Sequence, residues 1–263
     1  MWQSLVVACL LIPVGYLQSR QLPPLRRYPW YYIFCALSGV AIPNVIFFYV
    51  VKSIPAGAMA VILTLAPIIT YLLVLLLRME RIDALRIAGI GLGFCGALMI
   101  AMPDTGFTID GWVLLGMLCP LGYASMSVYI SRFPVHGVPL LLLAGGTHAV
   151  AVLFLAPVTL LAGDYFPIWE DAGLVEALIV CHGIIAAVAY SLFFRIVQLA
   201  GPVFYSFSTY VIAITGIGWG WLVFGESHPG HFWLAVALIF CGLALIQFRQ
   251  RKSPPPAKPD HPA

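Results

Sequence analysis

Residues 84–102 read ALRIAGIGLGFCGALMIAM, and a related stretch returns near the end of the chain as HFWLAVALIFCGLALIQF at residues 231–248. The tripeptide Phe94-Cys95-Gly96 falls on Phe240-Cys241-Gly242 when the sequence is shifted by 146 residues. The same shift aligns further identical residues: Glu80 with Glu226, Leu92 with Leu238, and Phe47-Phe48 with Phe193-Phe194. Self-similarity at a fixed offset predicts that the chain contains two copies of one structural unit.

The composition excludes several classes of protein. Of 263 residues, 62% are hydrophobic and 9% are charged, whereas about 25% of an ordinary soluble domain is charged. Charged groups are too few to cover the surface of a soluble enzyme. The same composition excludes a disordered chain and a nucleic-acid binder, which are both rich in charged residues. The six cysteines stand singly in apolar runs, and we interpret them as small packing residues.

Nine apolar runs are long enough to cross a membrane. A transmembrane helix needs about 20 mostly apolar residues, and the runs measure 17 to 24 residues. They lie at residues 2–18, 30–51, 56–77, 84–102, 111–131, 139–162, 174–194, 203–224 and 231–248. The sequence therefore predicts an all-α integral membrane protein, followed by a disordered cytoplasmic tail at residues 249–263.

The basic residues predict the orientation, because connectors on the inner side of a membrane are enriched in Lys and Arg. With the C-terminus inside, 12 of the 13 basic residues fall at inner connectors or on the tail, and only Lys52 falls outside. Seven of the 10 acidic residues fall outside: Asp104, Asp110, Asp164, Glu170, Asp171, Glu176 and Glu226. We expect a multi-pass protein of the inner cell membrane, with its C-terminus cytoplasmic and the N-terminus of this chain outside.

The two copies are predicted to have opposite orientations. Spans two to four match spans seven to nine, and the offset of five spans is odd. Inverted repeats of this kind are typical of secondary transporters, which bind substrate near the midplane where the repeats meet.

The stretch Ala58–Met102 resembles the EamA repeat of the drug/metabolite transporter superfamily. The shared features are an Ala-rich helix start, Leu65-x-Pro67, a Glu that closes the helix at Glu80, a Gly nine residues later at Gly89, and a Gly-rich final helix. The second copy keeps Gly225-Glu226 and Cys241-Gly242 but has Ala213 and Ala235 at the positions of Pro67 and Gly89. The resemblance covers nearly the whole chain.

This resemblance implies a secondary-active permease or exporter that moves an amino acid or related metabolite by alternating access. It implies repeats at residues 1–102 and 103–248. Because such proteins have ten helices with both termini inside, the nine spans correspond to helices two to ten. The first repeat is therefore expected to be incomplete, either in the gene model or in the protein. The alternative from another class is a truncated, non-transporting protein or a structural membrane partner.

Polar residues inside the spans are the candidate substrate site, because polar groups in a bilayer are costly. Asn44 and Tyr190 are equivalent under the repeat, as are Thr64 and Tyr210. His148 stands near the middle of its span, and it is either a packed neutral histidine or part of the pathway. The predicted substrate-binding residues are Asn44, Thr64, Tyr123, His148, Tyr190, Ser206 and Tyr210, with Ser125, Ser127 and Thr209 as weaker candidates.

Catalytic signatures are missing from the sequence. It contains no HExxH, GxSxG or P-loop motif, so we expect no enzyme activity, catalytic residue or cofactor. His228 and His231 are separated by Pro229, which breaks a helix, so we expect no metal site. The expected partners are a small-molecule substrate, the lipid bilayer and a coupling proton, without nucleic acid; the oligomeric state is open.

Overall fold

The computed structural model describes residues 1–54, 59, 62–101, 111–163, 165–168, 173–212, 215, 222 and 230–250. These residues form helices joined by short connectors, and no strand occurs among them. A helix satisfies its backbone hydrogen bonds internally, as an apolar segment in lipid requires. The protein is therefore an all-α membrane protein, as predicted.

The first half of the chain supplies five described α-helices and one π-helix. They are α1 (Trp2–Ser19), α2 (Pro29–Ala36), the π-helix (Leu37–Ala41), α3 (Ile42–Val50), α4 (Ala66–Leu76) and α5 (Ala84–Ala101). Arg20 ends α1 in the left-handed conformation, with φ of 58°, and its N–H donates to the Tyr16 carbonyl. Pro29 starts α2, a position where the missing N–H costs no hydrogen bond.

The second half supplies six helices with described bounds, and residues 208–212 are also helical. They are α6 (Gly111–Gly116), α7 (Leu118–Arg132), α8 (Leu140–Leu161), α9 (Leu174–Ala200), α10 (Pro202–Ser206) and α11 (Gly230–Gln250). Gly201 has a φ of 88°, which favours glycine, and with Pro202 it separates α9 from α10.

The helices overlap the predicted runs, with ends that differ by one to six residues, but several runs are interrupted. Among the described residues, five segments are long and apolar enough to cross a membrane: Trp2–Ser19, Pro29–Val50, Gly111–Arg132, Leu140–Leu161 and Leu174–Ala200. The run predicted at 56–77 is not one continuous helix in its described part, because a turn at residues 64–65 precedes α4. The run predicted at 174–194 extends to Ala200, and the last helix extends to Gln250. Residues 251–263 of the predicted tail lie outside the described part of the chain.

Helix packing brings the two halves of the chain together. The start of α1 lies near the end of α8, where the Thr159 hydroxyl approaches the Met1 sulfur at 3.5 Å. Helices α2 and α3 pack against α7, which runs antiparallel to them: Gly39 meets Met126 and Pro43 meets Gly122. Helix α5 packs along α11 through the close approach of Gly96 to Ala235. These contacts enclose a space between the halves.

Candidate functional site

A cavity of about 390 Å³ lies between the two predicted repeats. Helices and turns of both halves form its wall. The first half contributes the polar residues Gln3, Asn44, Thr64 and Thr70, and the second contributes Tyr123, Ser127, Tyr190, Tyr205, Ser206, Ser208 and Thr209. A site formed jointly by both repeats is the arrangement expected of a transporter with inverted repeats.

Interruptions of the helices lie at the level of this cavity. Gly39, in the π-helix, is on its wall, and so is Thr64, in the turn before α4. Ser206, the last residue of α10, precedes a turn at Phe207 and also lines the cavity. Irregular backbone at membrane depth is tolerated where it is buried in protein or lines a cavity. The helix interruptions therefore lie beside the cavity, where irregular backbone is tolerated.

Several hydroxyl groups on the wall are used within their own helices. Thr70 donates to the Ala66 carbonyl at 2.7 Å, Ser127 to Ala124 at 2.9 Å, and Ser206 to Val203 at 2.7 Å. Such bonds are common for Ser and Thr in apolar helices. These hydroxyl protons are therefore already engaged.

Other polar groups on the wall have no hydrogen-bond partner among the described residues. They are the amides of Gln3 and Asn44 and the phenol hydroxyls of Tyr123 and Tyr190. The amides can both donate and accept, as can the phenols. The wall therefore presents uncharged groups that are able to bind a polar solute.

Aromatic rings form one side of the cavity. The ring centroids of Phe193 and Tyr205 are 4.5 Å apart, and those of Tyr190 and Phe193 are 6.1 Å apart, both in edge-to-face arrangements. No Asp, Glu, Lys or Arg occurs among the described lining residues. The described wall therefore combines aromatic faces with neutral hydrogen-bonding groups.

Five of the seven predicted site residues lie on the wall: Asn44, Thr64, Tyr123, Tyr190 and Ser206. Tyr210 does not line it, since its ring packs against Gly93 and its hydroxyl donates to the Ile90 carbonyl at 3.5 Å. Of the weaker candidates, Ser127 and Thr209 line the cavity, and Ser125 does not. Whether any of these residues binds substrate stays a prediction.

His148 lies behind the wall. It is wholly buried, and its ring meets the Tyr190 ring edge to face, with centroids 4.1 Å apart. Neither ring nitrogen has a hydrogen-bond partner in the described part of the chain. His148 can therefore act on the cavity through Tyr190, but it is not placed to contact a solute there.

Sequence reasoning missed Gln3, Tyr205 and Phe193. Gln3 is an amide in an apolar run, and the rule that selected Asn44 would also have selected it. Tyr205 and Phe193 belong to helices rich in aromatic residues, where nothing in the sequence distinguishes a ring facing the cavity from one in the core. Their placement follows from the rotation of α9 and from the break at Gly201.

The family of the chain follows from its sequence match. The model of the EamA-like transporter family matches residues 1–102 and again residues 110–248. The chain belongs to the EamA-like transporter family. It is therefore a multi-pass membrane protein of a family that transports small molecules, as the resemblance implied.

A named relative agrees with this assignment, and a solved structure shares the fold. The chain is 28% identical, over 182 residues, to a protein of Vibrio cholerae named riboflavin transporter. That match includes 66% of this chain and 57% of the relative, so it spans little more than half of the relative's length. A solved structure titled "Crystal structure of protein" matches with a TM-score of 0.76 at 20% identity, covering 96% of this chain and 88% of that one. The structural likeness supports the fold.

Proposed function

We propose that this EamA-like protein is a secondary-active transporter that binds a small metabolite in the central cavity and moves it by alternating access. The observation that carries the proposal is a cavity lined from both repeats by polar groups, such as those of Asn44 and Tyr190, that have no hydrogen-bond partner in the described part of the chain. A site shared by two rigid units can be exposed first to one side and then to the other as the units rock.

The described wall favours an uncharged substrate that carries a ring. Aromatic faces at Phe193 and Tyr205 can stack against a planar group, and the Asn44 amide can pair with its polar edge. An ionised group would lie beside no charged side chain among the described lining residues, and an unpaired charge is costly away from water. Riboflavin fits this description, and the Vibrio cholerae relative supports it as the first compound to test.

An amino acid, which the family resemblance implied, is the second candidate. Its carboxylate and ammonium groups would depend on backbone dipoles and on neutral groups such as Tyr123 and Asn44. An aromatic amino acid would still gain from the rings. The two candidates differ in charge, so a transport assay with both compounds separates them.

The test is transport into proteoliposomes that contain the purified protein. Radiolabelled riboflavin and labelled tryptophan are offered separately, with an imposed proton gradient of either sign, which also tests export and proton coupling. We expect riboflavin to accumulate in the proteoliposomes, and we expect Asn44→Ala to lower the initial rate of riboflavin uptake. Ser125→Ala is the matched control, because the Ser125 hydroxyl donates to the Leu121 carbonyl away from the cavity.

If Asn44→Ala leaves the rate of riboflavin uptake unchanged, the cavity is not the substrate-binding site. Transport of tryptophan without transport of riboflavin would make an amino acid the preferred substrate. A folded protein that moves neither compound under any gradient would favour the alternative, a non-transporting membrane protein.

A further inference from the structure

One face of α9 is apolar and exposed. Ile184 and Ile185 are 47% and 62% exposed, and Ala189, one turn further along the helix, is exposed as well. Ile212, in the helical residues 208–212, is 63% exposed and also lines the cavity. We name these four residues, Ile184, Ile185, Ala189 and Ile212, the open seat. Because Ile212 belongs to both, the cavity borders the open seat.

The equivalent residues of the first repeat are packed against α7. The shift of 146 residues takes the open seat onto Ser38, Gly39, Pro43 and Ala66. A Cβ added to Gly39 would lie 2.7 Å from Cγ of Met126, and one added to Gly122 would lie 2.8 Å from Cγ of Pro43. Helix α4, which begins with the buried Ala66, also packs along α7. Equivalent positions therefore carry a helix in one repeat and are exposed in the other.

The neighbours of α7 have counterparts under the same shift. It pairs α8 with α1, α2 and α3 with α9, and α5 with α11. Helix α1 packs on α9 where Gly183 meets Val6, as α8 packs on α2 where Gly146 meets Tyr32. The shift pairs α7 with no segment of residues 1–263. Under the two-fold relation of inverted repeats, a counterpart of α7 would lie in the open seat.

The exposed side chains define the chemistry of such a helix. It must be apolar, because the open seat consists of three isoleucines and one alanine. It must run antiparallel to α9, as α7 runs antiparallel to α2 and α3. In the first repeat the large Met126 fills the space beside Gly39, whereas in the second repeat the large residue is Ile185. Close packing therefore requires a glycine or alanine at the position of Met126.

We propose that the open seat binds one apolar transmembrane helix of another membrane protein, antiparallel to α9 and with a glycine or alanine against Ile185. The bound helix would complete the cavity wall beside Ile212. Helix α7 supplies the same kind of wall through Tyr123 and Ser127. Docking of a helix goes beyond the proposed transport function, and it can be measured without any transported solute.

The probe is a synthetic peptide with the sequence of Gly111–Arg132, which is long and apolar enough to cross a membrane. It carries Cys119→Ala and Met126→Gly, and a second peptide keeps Met126. The full-length protein has its six cysteines replaced by alanine and receives a donor dye through Ala162→Cys, at an exposed position of the connector that leads to α9. Energy transfer to an acceptor on the peptide is measured in liposomes as the peptide-to-lipid ratio rises.

We expect the transfer to saturate, and the Met126→Gly peptide to reach half-saturation at about a tenfold lower ratio than the peptide with Met126. The reason is that Met126 and Ile185 are too large for the same space. Ile185→Gly in the protein should invert this order, because it recreates the contact between Gly39 and Met126. Ile185→Ala gives the same comparison if Ile185→Gly does not fold. The matched control is Leu153→Gly on α8, which is 70% exposed outside the open seat and should leave the order unchanged.

The direction of the bound helix is measured by moving the acceptor. The Tyr129 ring, near the end of α7, meets the Tyr31 ring near the start of α2, with centroids 5.8 Å apart. A peptide bound in the equivalent way has its C-terminus near the start of α9 and therefore near Ala162. An acceptor at the C-terminus should give more transfer than one at the N-terminus, and the opposite result would overturn the proposed docking.

Transfer that does not saturate, or that is equal for both peptides on both proteins, would show that lipid covers the open seat and would overturn helix docking. Transfer between copies of the protein that Ile185→Gly abolishes would do the same, with a second copy as the occupant. So would docking only of a peptide joined to Met1, which would place the helix in the same polypeptide. Saturable docking in a protein that moves neither riboflavin nor tryptophan would keep the open seat and remove the transport function. Transport without docking would remove the open seat alone.

Discussion

Gly242 packs directly onto the backbone of Gly89: a Cβ atom added to Gly242 would lie 2.5 Å from the Gly89 carbonyl oxygen. The same contact occurs a second time, because a Cβ added to Gly96 would lie 2.6 Å from the carbonyl oxygen of Ala235. The shift of 146 residues that relates the two copies takes Gly96 to Gly242 and Gly89 to Ala235. The contact is thus repeated with the roles exchanged, as an approximate two-fold relation between α5 and α11 requires.

The first prediction concerns this contact. Gly96→Ala should lower the free energy of unfolding in detergent by about 1–3 kcal/mol, because the methyl group meets backbone and Ile239 and cannot be accommodated without moving α11. Gly91→Ala, on the same helix, is the control. Nothing lies within 4 Å of a Cβ at Gly91, and alanine has the higher helix propensity. Equal loss in both variants would show that the close approach is not what stabilises the pair.

The second prediction separates two tyrosines that the sequence treated alike. Tyr190→Phe removes a hydroxyl at the cavity, and the apparent affinity for the transported solute should fall about threefold to tenfold. Tyr210→Phe should leave the affinity unchanged, because its hydroxyl faces the Ile90 carbonyl away from the cavity. The measurement is the concentration dependence of uptake. A larger effect at Tyr210 would mean that the cavity described here is not the binding site.

The third prediction concerns His148, which supports the Tyr190 ring from behind. His148→Ala removes this support, so we expect the apparent affinity to fall several-fold while the maximal rate changes less. His148→Phe keeps an aromatic edge and should restore most of the affinity. Uptake kinetics of both variants at several pH values provide the test. An equal fall in affinity in both variants, with a changed pH profile of the remaining uptake, would instead identify the imidazole itself as the required group.

The fourth prediction concerns orientation. Reporter fusions or insertions at Gly163 and at Lys258 should fall on opposite sides of the membrane, and an insertion at Gly137 should fall on the same side as Lys258. Gly137 and Gly163 are exposed glycines with φ of 76° and 70°, so both turns are suitable for insertion. The physical reason is the distribution of arginines, since Arg132 precedes Gly137. Gly137 and Gly163 on one side would refute the predicted topology.

The sequence by itself determined the class of protein and the approximate positions of its helical runs. Charged residues are so sparse that the chain must lie in lipid, and in lipid an apolar run must form a helix to satisfy its own backbone. The repeated Phe-Cys-Gly identified two copies, and the alternation of spans gave their opposite directions. These conclusions depend only on local composition and on counting, which a sequence contains.

Tertiary structure alone decided which polar residues meet. Tyr190 and Tyr210 both lie in apolar runs, but of these two only Tyr190 lines the cavity. The helices are apolar on every side, so no amphipathic pattern shows which face turns inward. The interruptions at the π-helix, at residues 64–65 and at Phe207 change that rotation partway along a span. Close packing at Gly39, Gly96 and Gly242 then fixes the rotation of the helices. A rotation that is set by contacts between distant segments cannot be predicted from either segment alone.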